Sequence, residues 1–460
     1  MLLERIKTQG LANISYFIGS ENEAIVVDPR RDFDVYLELS IKHSMKIKYI
    51  LETHRNEDFV IGSQELSKKT SAPIFHGDQI DFEYGETIVD GQELAFGSTK
   101  VKGLHTPGHT KEHFSYVIYS EKFNDQPMLV CTGDVLFAGD VGRTDFYGPE
   151  NTAIFSEKLY NSLHEKILPL GDEVIVCPGH GSGSVCGMFI EPRDLTTIGI
   201  EKKLNRMLNL SKEKFIDFKV KEKHIVAPYM ANMEHYNQTG TAPHLSDLIE
   251  PQPLLCNEFK EKMDEGALVV DTRMPADYGM AHIEGSINIM LEGLSLYAGW
   301  FLKKDQPILL VLSNPTDIAK AKTALWRIGI DNIVGYLAKG ITGWYGDARP
   351  IRTNKLLSVH ELKEVIDKHE CFILDVRKQT NWEKEHIKDS YNIFVGKIPD
   401  RVNELPEDKD KRLVVLCGIG TRASIASSIL QRLGYNKVSV VLGSFTAWKK
   451  AGYLTIKSES

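Results

Sequence analysis

The sequence predicts an α/β protein of about three domains, and three observations support this prediction. The chain has 460 residues, which is too long for a single hydrophobic core. Up to about residue 195, short apolar segments with strand character alternate with turn signals and helical patterns. The remainder contains an internal repeat that reads strand, helix, strand, loop, helix, strand, as small parallel α/β domains do.

The composition is that of an ordinary globular protein, with 42% hydrophobic and 26% charged residues. A formal net charge of −8 provides no general basic field, so neither nucleic acid nor an anionic membrane is an expected partner. No apolar run approaches the roughly 18 residues of a membrane span, and the N-terminus lacks the apolar core of a signal peptide. Six scattered cysteines form no CxxC pair, which indicates a reducing compartment, and we expect a cytoplasmic protein.

Local patterns place the elements of the first part of the chain. Apolar runs predict strands at residues 24–28, 47–51, 114–119 and 173–177, and the alternation within 114–119 predicts a half-exposed strand. Helices are predicted at 58–68, after a polar loop, and at 152–167, where apolar residues recur at helical spacing. Residues 197–253 contain a short helical pattern and several chain-breaking dipeptides, and we assign them to the end of the first domain and a linker.

Four polar segments of this first part carry the candidate chemistry. The first, THRNEDF at residues 53–59, follows a predicted buried strand, and strand ends of α/β sheets commonly carry ligands. The other three are HTPGHT at 105–110, TGD at 132–134 and PGHG at 178–181. In this order they resemble the signature segments of the metallo-β-lactamase family, of which the first reads THxHxDH. This resemblance, and not the periodicity, implies an αββα sandwich.

Two histidines of that signature are replaced, by Asn56 and Phe59. His54, His109 and Asp134 remain, and two imidazoles with one carboxylate form the facial triad of non-haem Fe(II) oxygenases. Dinuclear zinc hydrolases of the family use both missing histidines, so we predict a mononuclear Fe(II) centre, one ion per chain, with zinc as a possible non-native occupant. The retained set is similar to that of the persulfide dioxygenases, and GRTDF at 142–146 resembles a segment of the same enzymes.

Three further features belong to this predicted site. Arg143 either binds an anionic substrate or braces the site, and the sequence leaves both roles open. The resemblance implies a cysteine near the metal at Cys186, for which we favour a role near the substrate over that of a buried small residue. The segment around Asn56 and Glu57 is expected not to touch the triad, although it could change the substrate pocket. Cys131 and Cys177 lie in apolar runs and are predicted to be packing residues.

The internal repeat has an offset of 104 residues. This offset relates four pairs: Asp271 and Asp375, His282 and His386, Asn288 and Asn392, Trp344 and Trp448. The Asp and His residues recur in both copies, so we expect structural hydrogen bonding from them. The predicted domains are 1–245, 246–350 and 351–460.

Only the second copy carries a reactive loop, CGIGTR at 417–422. A short glycine-bearing loop can aim backbone N–H groups inward and form an anion-binding nest. The N-terminus of the following helix and the charge of Arg422 add to this field, and all three favour a thiolate at Cys417. The loop resembles the active-site loop of rhodaneses, which implies a catalytic Cys417 and sulfur or oxyanion binding by Gly418, Gly420 and Arg422.

The first copy lacks this chemistry. The positions equivalent to Cys417 and Arg422 are Ser313 and Ile318, and Pro315 removes one N–H from the loop. We therefore predict an inactive rhodanese-like domain that serves as a scaffold or docking surface.

The whole chain resembles the fused persulfide dioxygenase–sulfurtransferases: an αββα metallo-β-lactamase sandwich followed by two rhodanese-like domains with parallel sheets. The resemblance implies that a low-molecular-weight thiol persulfide is oxidised with O2 to sulfite and free thiol. Cys417 then passes sulfane sulfur to sulfite, which gives thiosulfate and suits sulfide detoxification. It also implies a homo-oligomer. Two alternatives stay open: a glyoxalase II-like thioester hydrolase, and a sulfur-relay protein in which only the rhodanese-like domains act.

Overall fold

The structure is a computed structural model that describes residues 1–120, 126–193 and 195–458. It contains two compact units. The first comprises Met1–Asp247 together with Trp326–Gly329, and the second contains the rest of the chain from Leu248 onward.

The first sheet of the first unit has six strands in sequential order. They are β1 (Leu2–Lys7), β2 (Ile14–Ser20), β3 (Glu23–Val27), β4 (Lys46–Leu51), β5 (Ile74–Gly77) and β6 (Glu86–Ile88). The first three strands pair antiparallel, and β3 to β6 pair parallel. The strands predicted at 24–28 and 47–51 are confirmed as β3 and β4.

The second sheet also has six strands, in the order β12-β11-β10-β9-β8-β7. They are β7 (Glu93–Phe96), β8 (Thr99–His105), β9 (Phe114–Ser120), β10 (Gln126–Gly133), β11 (Ile175–Pro178) and β12 (Thr196–Thr197). The prediction of a half-exposed strand at 114–119 is wrong, because every residue of β9 except Tyr119 is buried. This strand lies inside the sheet: Ile118 packs toward the other sheet and Val117 toward the helices.

Among the described residues of the first unit, six α-helices are present: α1 (Asp34–His43), α2 (Ser63–Thr70), α3 (Thr152–Asn161), α4 (Ile198–Leu204), α5 (Lys212–Lys221) and α6 (Met230–Thr239). The helix predicted at 58–68 begins later than expected, at Ser63, because the preceding loop directs its polar side chains into the interior instead of starting a helix. Beyond α3, residues Ser162–Ile167 continue as a wider helical turn, which confirms the predicted helix at 152–167.

Three apolar clusters separate the layers of this unit. One lies between the sheets and includes Tyr16, Ile118 and Leu129. The second covers the outer face of the second sheet with α3 and α5, and the third covers the outer face of the first sheet with α1 and α2. Each buried side chain of this kind contributes about 1.5–3 kcal/mol. The predicted αββα sandwich is therefore confirmed.

The second unit contains two parallel sheets of five strands. The first consists of β13 (Gln252–Leu254), β14 (Leu268–Asp271), β15 (Ile287–Asn288), β16 (Ile308–Val311) and β17 (Ile333–Leu337). The second consists of β18 (Lys355–Leu357), β19 (Phe372–Asp375), β20 (Tyr391–Asn392), β21 (Leu413–Leu416) and β22 (Val438–Val441). The strand order is β13-β17-β16-β14-β15 in one and β18-β22-β21-β19-β20 in the other, so the repeat has the same topology in both copies.

Nine helices flank these sheets in the described part of the unit. In the first copy they are α7 (Cys256–Asp264), α8 (Pro275–Met280), α9 (Leu294–Phe301), α10 (Ile318–Trp326) and α11 (Gly340–Gly346). In the second they are α12 (Val359–Asp367), α13 (Gln379–Lys384), α14 (Thr421–Arg432) and α15 (Ser444–Lys450). Across residues 1–120, 126–193 and 195–458, none of the helices is both long and apolar enough to traverse a bilayer.

The residues shared by both copies have structural roles. The Arg273 guanidinium donates two hydrogen bonds to the Asp271 carboxylate, with Nε–Oδ1 at 2.9 Å and Nη2–Oδ2 at 2.6 Å, and Arg377 binds Asp375 in the same manner. His282 donates from Nδ1 to the carbonyl oxygen of Tyr278 at 2.9 Å. These contacts hold the segments that follow β14 and β19, which confirms the expectation of structural hydrogen bonding.

Candidate functional site

The predicted metal ligands of the first unit come together at the carboxyl ends of its strands. His54 follows β4, His109 lies in the loop after β8, and Asp134 follows β10. All three are buried, His109 Nε2 lies 3.4 Å from Asp134 Oδ2, and the rings of His54 and His109 are 5.1 Å apart. Residues far apart in the sequence thus form one buried cluster.

Hydrogen bonds fix the orientation of both imidazoles. His109 Nδ1 lies 3.0 Å from the carbonyl oxygen of Arg143, and since a carbonyl only accepts, Nδ1 carries the proton. The Thr53 hydroxyl donates to Asp28 at 2.7 Å and therefore accepts from His54 Nδ1 at 2.8 Å. Both Nε2 atoms consequently present lone pairs to the cluster, as metal-binding histidines do.

The unpartnered atoms of the cluster fit a bound cation. His54 Nε2, His109 Nε2 and both carboxylate oxygens of Glu57 are buried and lack a hydrogen-bond partner within the described structure. Burying such atoms without partners is costly, and the cost is offset when they surround a positive ion. The donor types, imidazole nitrogen and carboxylate oxygen, suit a divalent transition metal.

The expectation that the Asn56–Glu57 segment does not touch the triad is wrong. Glu57 Oε2 lies 3.9 Å from His54 Nε2 and 3.7 Å from His109 Nε2. Asn56 instead turns back toward the chain and donates from Nδ2 to the carbonyl oxygen of His54 at 3.3 Å. The acidic residue beside the missing histidine was the available signal, but the direction of a side chain in an irregular loop does not follow from its spacing.

His180 occupies the position at which the family would build a second metal site. Its Nδ1 lies 2.7 Å from Asp134 Oδ1, and its Nε2 lies 2.9 Å from Asp58 Oδ2. Burial opposes the charged ring, but Asp134 and Asp58 outweigh burial and raise the pKa of His180 well above its ordinary value. Both ring nitrogens of His180 thus face carboxylates, and ligand atoms of Asp58, His180 and Cys186 all lie within 4.8 Å of one another. Phe59, the residue after Asp58, is fully buried.

The charges of the cluster follow from its burial. Burial lowers the pKa of His54 to about 3, so this ring is neutral and available as a ligand. Burial alone would raise the pKa of Asp134, but the charge of His180 and the other histidines holds it well below its ordinary value. The site therefore contains an ionised Asp134 carboxylate and a neutral His54 imidazole.

His113 supports the cluster, although the sequence did not single it out. Its Nε2 accepts a hydrogen bond from the backbone N–H of Asp134 at 3.1 Å, and its ring stacks on His54 at 5.2 Å between centroids. Its Nδ1 lies 2.9 Å from the Thr106 hydroxyl. The ring therefore positions Asp134 and His54 and does not face the cluster itself.

The structure shows one of the two roles that the sequence left open for Arg143. Its guanidinium donates two hydrogen bonds to Asp145, at 2.6 and 2.7 Å, which braces the loop. The guanidinium also lies over the ring of Phe146. The centroid of that ring is 5.1 Å from the centroid of the His109 ring. Nη1 is buried and has no hydrogen-bond partner among the described residues. The bracing role is therefore visible, and the anion-binding role stays a prediction that Nη1 could fulfil.

Cys186 lies beside the cluster. Its Sγ, together with a ligand atom of His109 and one of Asp134, forms a group whose members are all within 4.8 Å of one another. Burial raises the pKa of the Cys186 thiol well above its ordinary value, so it is a neutral thiol. Cys131 and Cys177 are buried on the paired strands β10 and β11, as expected of packing residues.

The second candidate site is the loop between β21 and α14. Cys417 is buried, its Sγ accepts a hydrogen bond from the backbone N–H of Gly420 at 3.1 Å, and its own N–H donates to the Ser444 hydroxyl. Gly420 has a φ of +116°, a conformation that a side chain would strain, and α14 begins at the next residue. A Cβ atom on Gly418 would lie 3.5 Å from Arg422 Nη2, so this guanidinium lies over the loop. The roles of these residues in substrate binding stay predictions.

The corresponding loop of the first copy has no such form. Ser313, Asn314 and Pro315 are exposed, and the Asn314 side chain accepts from the backbone N–H of Thr316 at 3.0 Å. The first copy nevertheless reaches the reactive loop through Tyr297 on α9. Burial raises the pKa of Tyr297, with an opposing influence of Arg422 and a reinforcing one of Cys417. No sequence pattern indicates this proximity, because it depends on how the two copies pack.

The αββα unit is a metallo-β-lactamase domain, and the two parallel sheets after it are rhodanese-like domains. The model of the metallo-beta-lactamase superfamily matches residues 10–180. The model of the rhodanese-like domain matches twice, at residues 255–347 and 358–451.

Individual relatives refine this class. The chain is 28% identical over 228 residues to the mitochondrial persulfide dioxygenase ETHE1 of Mus musculus, covering 47% of this chain and 79% of that protein. It is 29% identical over 219 residues to the hydroxyacylglutathione hydrolase GloC of Haemophilus influenzae, covering 43% and 92%. A metallo-beta-lactamase crystal structure from Staphylococcus aureus aligns with a TM-score of 0.65 and 29% identity, over 73% of this chain and 98% of that one. The chain has the domain arrangement of a fused dioxygenase–rhodanese protein, which confirms the family predicted from its sequence.

Proposed function

We propose that this chain oxidises a low-molecular-weight thiol persulfide with O2 at a single Fe(II) ion and transfers sulfane sulfur through Cys417 to sulfite. The observation that carries the proposal is the asymmetry of the metal site. The unpartnered Nε2 atoms of His54 and His109 lie beside the unpartnered carboxylate of Glu57, whereas the second group of close donors, Asp58, His180 and Cys186, lies where Phe59 replaces a histidine of the family. One ion supports oxygenase chemistry, and the two-ion hydrolysis of the family would need the histidines that Asn56 and Phe59 have replaced.

Each residue of the cluster has a definite task in this proposal. His54, His109 and Asp134 hold the ion, and the Thr53 hydroxyl and the Arg143 carbonyl keep the two imidazoles oriented. Bound Fe(II) would supply the redox chemistry that joins oxygen to the terminal sulfur. Because the ligands are buried, bulk water is kept away from the reacting groups.

The reaction balances with one O2 and one water per persulfide. RSSH, O2 and H2O give RSH, sulfite and two protons, and the electrons lost by the outer sulfur reduce both oxygen atoms. In the second step the Cys417 thiolate attacks the outer sulfur of another persulfide and RS⁻ leaves. Sulfite then takes that sulfur from Cys417, the S–S bond to the enzyme breaks, and thiosulfate is released. The N–H groups of the loop and Arg422 would hold these anions.

A hydroxyacylglutathione hydrolase is the second candidate, because such enzymes are as similar to the first domain as the persulfide dioxygenases are. The deciding experiment measures oxygen consumption by the Fe(II)-loaded protein given a thiol persulfide, and thioester hydrolysis by the zinc-loaded protein given S-lactoylglutathione. We expect oxygen uptake with sulfite and thiosulfate as products, and no hydrolysis above the buffer rate. Hydrolysis without uptake would favour the second candidate. If neither reaction occurs and the metal content is below about one half per chain, a sulfur relay centred on Cys417 becomes the favoured function.

Arg143→Lys tests whether the guanidinium binds the substrate as well as bracing the loop. A lysine cannot keep the two-pronged contact to Asp145 and also present a further donor. We expect the KM for a carboxylate-bearing persulfide such as glutathione persulfide to rise about tenfold, which corresponds to about 1.4 kcal/mol. The KM for a persulfide without carboxylates should change much less. Steady-state oxygen uptake with both substrates checks this.

The matched control is Asp145→Asn, which weakens the brace and leaves Nη1 in place. An equal loss of kcat in both variants, with both KM values unchanged, would mean that Arg143 only braces the loop. A cytoplasmic location and self-association remain predictions of the sequence.

A further inference from the structure

We infer that Glu57 is a fourth protein ligand of the metal, in place of the histidine that Asn56 has replaced. The inference rests on the metal site of the proposed function and extends its ligand set. Ligand atoms of His54, Glu57 and His109 form a group whose members all lie within 4.8 Å of one another. All three residues are buried, and Glu57 is 1% exposed.

The distances favour coordination over hydrogen bonding. Glu57 Oε2 is 3.9 Å from His54 Nε2 and 3.7 Å from His109 Nε2, and both separations exceed the length of a hydrogen bond. In addition, Nδ1 of each ring is engaged by the Arg143 carbonyl or the Thr53 hydroxyl, so in the neutral rings Nε2 carries the lone pair that faces the carboxylate. A metal–ligand bond is about 2 Å long, so donor atoms at these separations can all bind the same ion.

Glu57 differs from the neighbouring carboxylates. Glu112 Oε1 accepts from the backbone N–H of Arg55 at 2.9 Å, and Asp58 and Asp134 each accept from His180. Neither oxygen of Glu57 has a hydrogen-bond partner in the described structure. A buried carboxylate without a donor is strongly unfavourable unless a cation compensates its charge. Of these four carboxylates, Glu57 is the one whose burial the protein alone does not explain.

Contacts within the loop explain why Glu57, and not Asn56, faces the donor cluster. The Asn56 side chain donates from Nδ2 to the backbone carbonyl oxygen of His54. The backbone carbonyl oxygen of Asn56 accepts from Asn237 Nδ2 at 2.7 Å. These contacts hold residue 56 away from the cluster and place the next side chain toward it. Two imidazoles and two carboxylates would then be available to hold the ion, a donor set that suits a divalent cation.

The test compares metal binding by the full chain and by Glu57→Gln, with Glu112→Gln as the matched control, since it neutralises a buried carboxylate next to the same loop. Anaerobic competition with a chelator measures the affinity for Fe(II), and the visible spectrum of the cobalt(II) form reports the ligand set. We expect Glu57→Gln to bind Fe(II) about thirtyfold more weakly or worse and to alter the cobalt spectrum. Glu112→Gln should stay within about threefold with an unchanged spectrum.

Thermal unfolding gives an independent readout. Because Glu57→Gln removes an uncompensated charge, its metal-free form should melt no lower than the wild type, while the rise in Tm on adding metal should shrink. If Glu57→Gln does not fold, Glu57→Asp serves instead: it withdraws the carboxylate by one methylene, and an affinity loss of about fivefold or more is expected. Unchanged affinity with an unchanged cobalt spectrum in the folded variant would overturn the inference and leave the three-residue site standing. Failure of the wild type to bind either ion would overturn the proposed function itself.

Discussion

Replacing His109 by alanine should abolish oxygen uptake by the Fe(II)-loaded protein, while sulfur transfer through Cys417 stays intact. His109 Nε2 faces both Asp134 and Glu57, at 3.4 and 3.7 Å, so it lies at the centre of the donor cluster. Loss of an outer-shell partner already weakens metal binding by about 10- to 100-fold, and loss of a direct ligand should exceed that. Iron content per chain and the rate of oxygen consumption measure the effect.

His105→Ala is the control for that variant. His105 lies in the same polar segment, but its Nε2 is 2.8 Å from the carbonyl oxygen of Lys111 and its ring packs near Phe114. It should keep iron content and oxygen uptake within about twofold, as surface-type substitutions away from a site do. Uptake that persists in His109→Ala, with the persulfide consumed at the normal rate, would place the oxidation elsewhere and refute the proposed site.

We expect Cys417→Ser to change the sulfur product of the reaction and to leave the rate of oxygen uptake unchanged. A serine oxygen cannot take up sulfane sulfur, so sulfur transfer should fall by about a thousandfold or more. The variant should fold normally, because the hydroxyl can still accept from the N–H of Gly420, the contact that the sulfur makes at 3.1 Å. Sulfite should then accumulate in place of thiosulfate, which chromatographic separation of the two anions detects after subtraction of the protein-free reaction.

Cys371→Ser, in the same rhodanese-like domain, is the matched control. Cys371 is half-buried just before β19, outside the reactive loop, and its replacement should leave the thiosulfate yield unchanged. An unchanged thiosulfate yield in Cys417→Ser would mean that thiosulfate formation does not depend on Cys417 and that the two activities of the chain are not coupled.

Much of the fold and part of the site could be predicted from the sequence, for identifiable reasons. Buried strands such as β3 and β4 are short apolar runs, and the internal repeat revealed two domains of one topology. His54, His109 and Asp134 could be found because their segments resemble the metallo-β-lactamase signature, and each of them follows or lies beside a strand or a glycine turn. The resemblance to the rhodanese loop likewise placed Cys417 in the loop before a helix, here between β21 and α14.

The remaining features depend on information that local patterns do not contain. Whether Glu57 or Asn56 faces the cluster is decided by loop contacts such as that from Asn237, more than a hundred residues away. The supporting role of His113 depends on pairing between separate segments, and the position of Tyr297 on the packing of two copies. The burial of β9 was missed because an alternating pattern looks the same whether the second face meets water or helices.

The ring of His180, held between Asp58 and Asp134, bears on whether this domain could regain a dinuclear site. Returning histidine at positions 56 and 59 would restore two donors, but a second cation would still have to compete with the proton that both carboxylates stabilise on that ring. Two substitutions alone would therefore give a protein that binds a second ion only weakly at neutral pH. If the site holds one ion as proposed, an engineered return to two ions would therefore also have to displace the proton from His180.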